Sequence, residues 1–357
     1  MSNALSRLAR IEFAPPSYLA FPTAGIAVSA SGVKLAVIKE RVHGLELVAY
    51  DEALLSLDAV KGGELIGRTE IVDAIRTLAR KHHVRFANIA LPESRSYLFE
   101  ADIKGTDPHG WRTSIEQRLD EYVPLPPAEV AFDMVPAGDT MAIGVAYAHR
   151  VIEESLSAFD EANIRVRSIE NEMFAMPRAL LKEGDPETVL IIDIGRTTTK
   201  LAVVSNRIPR FATTLDIGGH ALTLAVQKHF GVSEEEAKRV KAEKGIVSTE
   251  ANSEYLQAML STVSVIREEI ARRLEYWQSR AEAGTKHEPV TRAILIGGNA
   301  TIRGLPEYLE TALKIPVSLG DVFVNLAPRD AWLPPLDYLE SLAYSTAIGL
   351  ALREHGT

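Results

Sequence analysis

The sequence predicts an α/β fold of two duplicated lobes, with an α+β subdomain inserted in the first. Three observations predict it. A strand–turn–strand unit beginning at Gly25, GIAVSASGVKLAVIKE, returns from Leu190 as LIIDIGRTTTKLAVVS, with VKLAVI set against TKLAVV. The chain has 357 residues, more than one hydrophobic core usually organises. The stretch between Ser94 and Glu170 reads as strand, helix, two strands, helix, strand, a compact unit of its own.

The elements follow in order. Behind the first hairpin, Ile71, Ile75, Leu78 and Ala79 predict an amphipathic helix, and RFANIALP a buried strand stopped by Pro92. In the insert, SYLFEADI alternates as a strand, and Trp111, Ile115, Leu119 and Tyr122 share one helical stripe. EVAFDMV and TMAIGVAYA read as strands joined by a turn at Gly138-Asp139, before a second helix and a strand into RVRSIENE. The second repeat is followed by two helices, a long helix from Ser253, a strand into Gly297-Gly298, and a small-residue helix, AYSTAIGLALR. The expected units are a tail over 1–22, a first-lobe core over 23–93, the insert over 94–170, and a second lobe over 171–357 whose last helix returns toward the first.

Composition narrows the function. The chain is 46% hydrophobic and 24% charged, as globular proteins are, and its net charge of −9 opposes a broad nucleic-acid or anionic-membrane surface. Without cysteine there is no disulfide, thiolate nucleophile or thiolate metal site. No apolar run reaches the roughly 18–20 residues a membrane span needs. A zincin His-Glu-x-x-His, a Gly-x-Ser-x-Gly elbow and a Walker lysine loop are all absent.

The repeats hold the candidate chemistry. Lys34 stands against Lys200, Ala27 against Asp193 and Ser29 against Gly195. A tight turn of small residues presents backbone N–H groups to phosphate oxygens, and Thr197, Thr198 and Thr199 add hydroxyls. Asp193, closing a buried strand, suits a Mg²⁺ held through water. The same threonines also suit an ordinary β-edge. Gly297, Gly298 and Asn299 either let a base or ribose approach the backbone or simply turn a strand into a helix. Glu236, Lys238 and Lys241 either meet a ribose and base or form a solvated helix face. Glu172 either orients a water or serves structure.

Taken together and in order, SGVKLAVI, SIENE, DIGRTTTKLAVV and LIGGNATIRGLPEYL resemble the actin-like ATPases. Adding EYVPLPPAEVAFDMV, DIGGHALTLAVQ, EEIARRLEYW and STAIGLALR, the chain closely resembles the PilM family of type IV pilus assembly proteins, which shares the subdomain plan of the division protein FtsA. The resemblance implies ATP and Mg²⁺ as cofactors. It places Lys34 and its counterpart Lys200 on phosphate, with Asp193, Gly195 and Thr197 to Thr199 as the second phosphate loop. It places Gly297, Gly298 and Asn299 on the adenosine side, Glu236 and Lys241 at the ribose or base, and Glu172 near the attacking water. It further implies a cytoplasmic protein, peripheral to the inner membrane through its partner. That partner is the N-terminal cytoplasmic peptide of a PilN-like inner-membrane protein, held between the insert and the first-lobe core, with links to the pilus motor and alignment complex. Neither nucleic-acid binding nor direct membrane insertion is implied.

The chain departs from the family where an acid and a glycine are usual, at Ala27 and Ser29, and it adds Arg196, whose guanidinium is expected to reach phosphate or stand in for a cation. Losing one of two carboxylates around the metal weakens phosphoryl-transfer catalysis. The expectation is a scaffold with weak or degenerate ATP binding, the alternative an ATPase switch whose turnover regulates assembly.

Overall fold

The computed structural model describes residues 23–103, 108–138, 140–247, 253–282 and 287–356. The expected tail over 1–22 and position 139 of the expected turn lie outside these residues. The first lobe opens with β1 (Thr23–Val28), β2 (Gly32–Arg41), β3 (Gly44–Leu54), the small hairpin β4 (Val60–Lys61) and β5 (Glu64–Leu65), α1 (Arg68–Lys81) and β6 (Phe86–Leu91). The insert follows with β7 (Ser96–Asp102), α2 (Pro108–Glu116), α3 (Leu119–Tyr122), β8 (Val130–Pro136) and β9 (Met141–Ala148). Then come α4 (His149–Glu161), β10 (Arg165–Asn171) and α5 (Glu172–Leu180). The second lobe contains β11 (Thr188–Ile194), β12 (Thr199–Ser205), β13 (Ile208–Leu215), α6 (Gly219–Phe230), α7 (Glu234–Lys244), α8 (Ser253–Glu282), β14 (Arg292–Ile296), α9 (Leu305–Leu313) and β15 (Val317–Leu319). The chain closes with α10 (Tyr338–Ser341) and α11 (Ser345–Leu352).

The duplication is carried through the sheets. One sheet runs β10-β6-β1-β2-β3 and the other β15-β14-β11-β12-β13. In each, three antiparallel strands form a meander, and two parallel strands extend it beyond the first. The register repeats as well: Ala27 pairs with Lys34 on one side and Asp193 with Lys200 on the other. Since directly paired residues point to the same face, both rows face the gap between the lobes.

Helix α1 buries Ile71, Ile75, Leu78 and Ala79, the stripe the sequence predicts. The insert differs from expectation at its end. Its own sheet, β7-β9-β8, is complete at Ala148. Strand β10 instead pairs in parallel with β6, and α4 puts Ala158 and Phe159 into the first-lobe core with Ile71 and Ile75. Local pattern shows that a strand is half-buried but not which sheet it completes. The predicted insert helix also breaks at Gln117-Arg118, although Ile115 and Leu119 still share its core with Trp111 and Tyr122.

Helix α11 crosses back onto β1, β2 and α5. Its small residues permit this. A Cβ on Gly349 would fall 1.9 Å from the Ala175 carbonyl oxygen, and one on Gly25 would fall 2.0 Å from that of Ala347. Fully buried Asn88 donates to the Leu350 carbonyl at 3.1 Å and accepts from Ser168 Oγ at 2.7 Å, tying the helix end to β6 and β10. Arg178 grips Glu170 at 2.6 and 2.8 Å and donates to the Gly349 carbonyl at 2.8 Å.

Candidate functional site

Between the lobes lies a cleft of about 520 Å³, within the range of small-molecule sites. Its walls take Ala27, Lys34 and Glu52 from the first sheet, and Asp193, Lys200 and Thr214 from the second. Of the residues predicted for a site, Lys34, Glu172, Asp193, Gly195, Thr197, Thr198, Lys200, Lys241, Gly297, Gly298 and Asn299 line it.

The second hairpin brings Asp193, Gly195, Thr197, Thr198 and Lys200 to the cleft. Gly195 N–H donates to the Thr198 carbonyl at 2.9 Å and closes the turn. Asp193 sits on the cleft floor, and its carboxylate accepts no hydrogen bond from the described residues, so it is available to a metal-bound water. Burial raises its pKa, offset in part by Lys200, while Glu172 pushes the same way as burial. Thr199 does not face the cleft: it is fully buried and its hydroxyl donates to the Ile217 carbonyl at 2.7 Å. Being the partner of Ile194 rather than of Asp193, it takes the opposite face of the sheet. The N–H groups of Gly219 and His220, opening α6, are taken by the carbonyls of Gly195 and Arg196 at 3.0 and 2.8 Å.

Glu172 and Lys200 find each other. Asn171 caps α5, accepting from Met173 N–H at 2.8 Å, and Glu172 opens the helix with only 6% exposure. One carboxylate oxygen accepts from Lys200 Nζ at 2.5 Å and the other from Glu93 N–H at 2.9 Å. Burial alone would lower the Lys200 pKa, but the carboxylates of Glu172 and Asp193 outweigh it and raise it. Neither Glu172 as a water-orienting base nor Lys200 as a free phosphate ligand is poised in this arrangement.

The first hairpin is closed on itself. Ser29 Oγ donates to the Gly32 carbonyl at 3.2 Å and lies 2.9 Å from Ser31 Oγ. Lys34 is buried and donates to Glu52 Oε1 at 2.6 Å and to Ser31 Oγ at 3.0 Å. Arg196 lines the cleft as well. It crosses the cleft mouth and donates to the Leu55 carbonyl at 2.9 Å, joining the second hairpin to the first lobe.

At the turn after β14, Gly297 has φ of 92°, and a Cβ there would sit 2.3 Å from Asp193 Oδ1. Both the conformation and the close approach call for glycine. Asn299 donates to the Gly195 carbonyl at 2.8 Å and accepts from Lys241 Nζ at 2.9 Å. Lys241 also donates to the Gly219 carbonyl and to Thr223 Oγ1, both at 3.1 Å. Burial, aided by Lys238, lowers its pKa to about 8. Glu236 does not join this group: it is exposed, 3.6 Å from Arg239, on the solvent side of α7. Among the described residues no three His, Asp or Glu side chains converge as a metal site. The second hairpin offers in Asp193 a carboxylate that fits a water-held Mg²⁺, and the first has Ala27 in that place.

Two duplicated sheets around a hairpin-lined cleft define an actin-like α/β protein, and solved structures agree. The chain matches the "PilM-PilN type IV pilus biogenesis complex" at TM-score 0.74 and 19% identity, over 93% of this chain and 98% of that one. It matches MreB 5 of Spiroplasma citri bound to AMPPNP at 0.56 and 14%, over 96% and 97%. It matches the ethanolamine utilization protein EutJ from Carboxydothermus hydrogenoformans at 0.53 and 18%, over 95% and 90%. The family model for type IV pilus assembly protein PilM matches residues 25–355, and the chain belongs to that family. Among the described residues no helix is long and apolar enough to cross a membrane.

Proposed function

We propose that this chain is a cytoplasmic scaffold of type IV pilus assembly. It holds the N-terminal cytoplasmic peptide of a PilN-like inner-membrane protein, and its cleft takes Mg-ATP weakly and turns it over slowly or not at all. The observation that carries the nucleotide half is the asymmetry of the cleft. The second hairpin keeps Asp193 and Gly195, the first has Ala27 and Ser29, and both phosphate-facing lysines are paired with the protein's own carboxylates. The docking half is supported by family membership and by likeness to a solved PilM–PilN complex. In this reading the peptide lies between the insert and the first-lobe core, and residues 94–148 supply one wall.

The alternative, an ATPase switch that regulates assembly, is favoured by one feature. Asp193 is unengaged by described residues and faces the cleft. Titrating the full chain with a synthetic PilN-like cytoplasmic peptide tests the docking half. Saturable binding is expected, and folded protein that binds no peptide would overturn it.

A further inference from the structure

The two sheets can be compared one strand further than their hairpins. In the first, Ala27 pairs with Lys34, and Lys34 with Glu52. In the second, Asp193 pairs with Lys200, and Lys200 with Thr214. All six line the cleft. Read across the strands, the first row is Ala-Lys-Glu and the second Asp-Lys-Thr. Each row keeps one lysine and one carboxylate, but the first row's carboxylate stands on the third strand instead of the first.

The exchange alters which carboxylate holds the lysine. In the second row, Thr214 donates to Glu93, and Lys200 is held by Glu172 at the start of α5, at 2.5 Å. In the first row, Glu52 takes Lys34 at 2.6 Å, and Ser31 takes another of its protons at 3.0 Å. Lys34 is only 7% exposed, whereas the Glu52 side chain is 27% exposed and borders the cleft. A ligand approaching from the cleft thus meets a carboxylate with its ammonium behind it.

We infer that Glu52 is a specificity residue: it occupies Lys34 and repels a terminal phosphate, so the cleft accepts adenine nucleotides of lower charge, ADP above ATP. This rests on the reading of the cleft as a nucleotide site. With adenosine on the Gly297–Asn299 side, a longer phosphate chain extends toward the first hairpin, where Glu52 waits. A like charge at such short range in a partly desolvated cleft is worth about tenfold in binding or more.

The test is calorimetric titration of Mg-ADP and Mg-ATP into the full chain and into Glu52→Gln, which keeps the volume and the acceptor for Lys34 and removes only the charge. Ala27→Asp/Glu52→Thr, which makes the first row read as the second does, is the companion variant. The native chain is expected to prefer ADP. Glu52→Gln should tighten ATP about tenfold with a smaller change for ADP, and the companion should shift preference the same way. ADP binding with an ATP-to-ADP ratio unchanged in both variants overturns the role of Glu52 and leaves the nucleotide reading standing. Binding of neither nucleotide to any of the three proteins overturns both.

Discussion

Lys241 shows how one buried side chain ties cleft chemistry to pH. Folding favours its neutral amine, because burial has lowered its pKa to about 8. Its contribution to stability is therefore complete above the ordinary lysine value and is lost as pH falls through about 8. Ligand binding runs the other way, since the ammonium form attracts phosphate. Affinity for Mg-ADP is predicted to fall several-fold between about pH 7 and pH 9, and Lys241→Met should flatten that profile in calorimetry. Much of the cleft at this scale was legible in the sequence: the repeat aligned Lys34 with Lys200 and exposed Ala27 and Ser29 as losses. What the residues do with their charge was not legible. Glu172 meets Lys200 across 28 positions of sequence, and Glu52 meets Lys34 across 18. Such pairs exist only once the strands and α5 have been placed. Glu236 was misplaced because a charged helix face looks the same whether it points to a cleft or to water.

At the scale of elements, close approach matters more than propensity. Alanine is the better helix former by about 1 kcal/mol, yet Gly349→Ala is predicted to destabilise, because its methyl group would meet the Ala175 backbone carbonyl at 1.9 Å. The expected cost is about 1–3 kcal/mol, as for other overpacked cores, read as a lower midpoint in denaturant unfolding. An unchanged or raised midpoint would mean that α11 and α5 do not pack this closely. The hairpins, α1 and the long helix were readable from period and punctuation. The allegiance of α4 and β10 was not, because β10 alternates equally well for the insert sheet or for β6, and only pairing decides.

At the scale of the molecule, the lobes are joined at several places, among them the Thr214–Glu93 hydrogen bond and the bond from Ala327 N–H to the Leu45 carbonyl. Helix α11 packs on the first lobe, and Arg196 spans the cleft mouth to Leu55. The duplicated plan frames a cleft between two hairpins, and the second has Asp193 and Gly195 where the first has Ala27 and Ser29. On the proposed function this protein scaffolds more than it catalyses, and steady-state phosphate release from Mg-ATP tests that most directly. The native full chain should release phosphate far below about one per second, the low end of ordinary enzyme turnover, and Ala27→Asp/Ser29→Gly should be faster. Native turnover at or above about one per second, slowed by the same double substitution, would contradict the account.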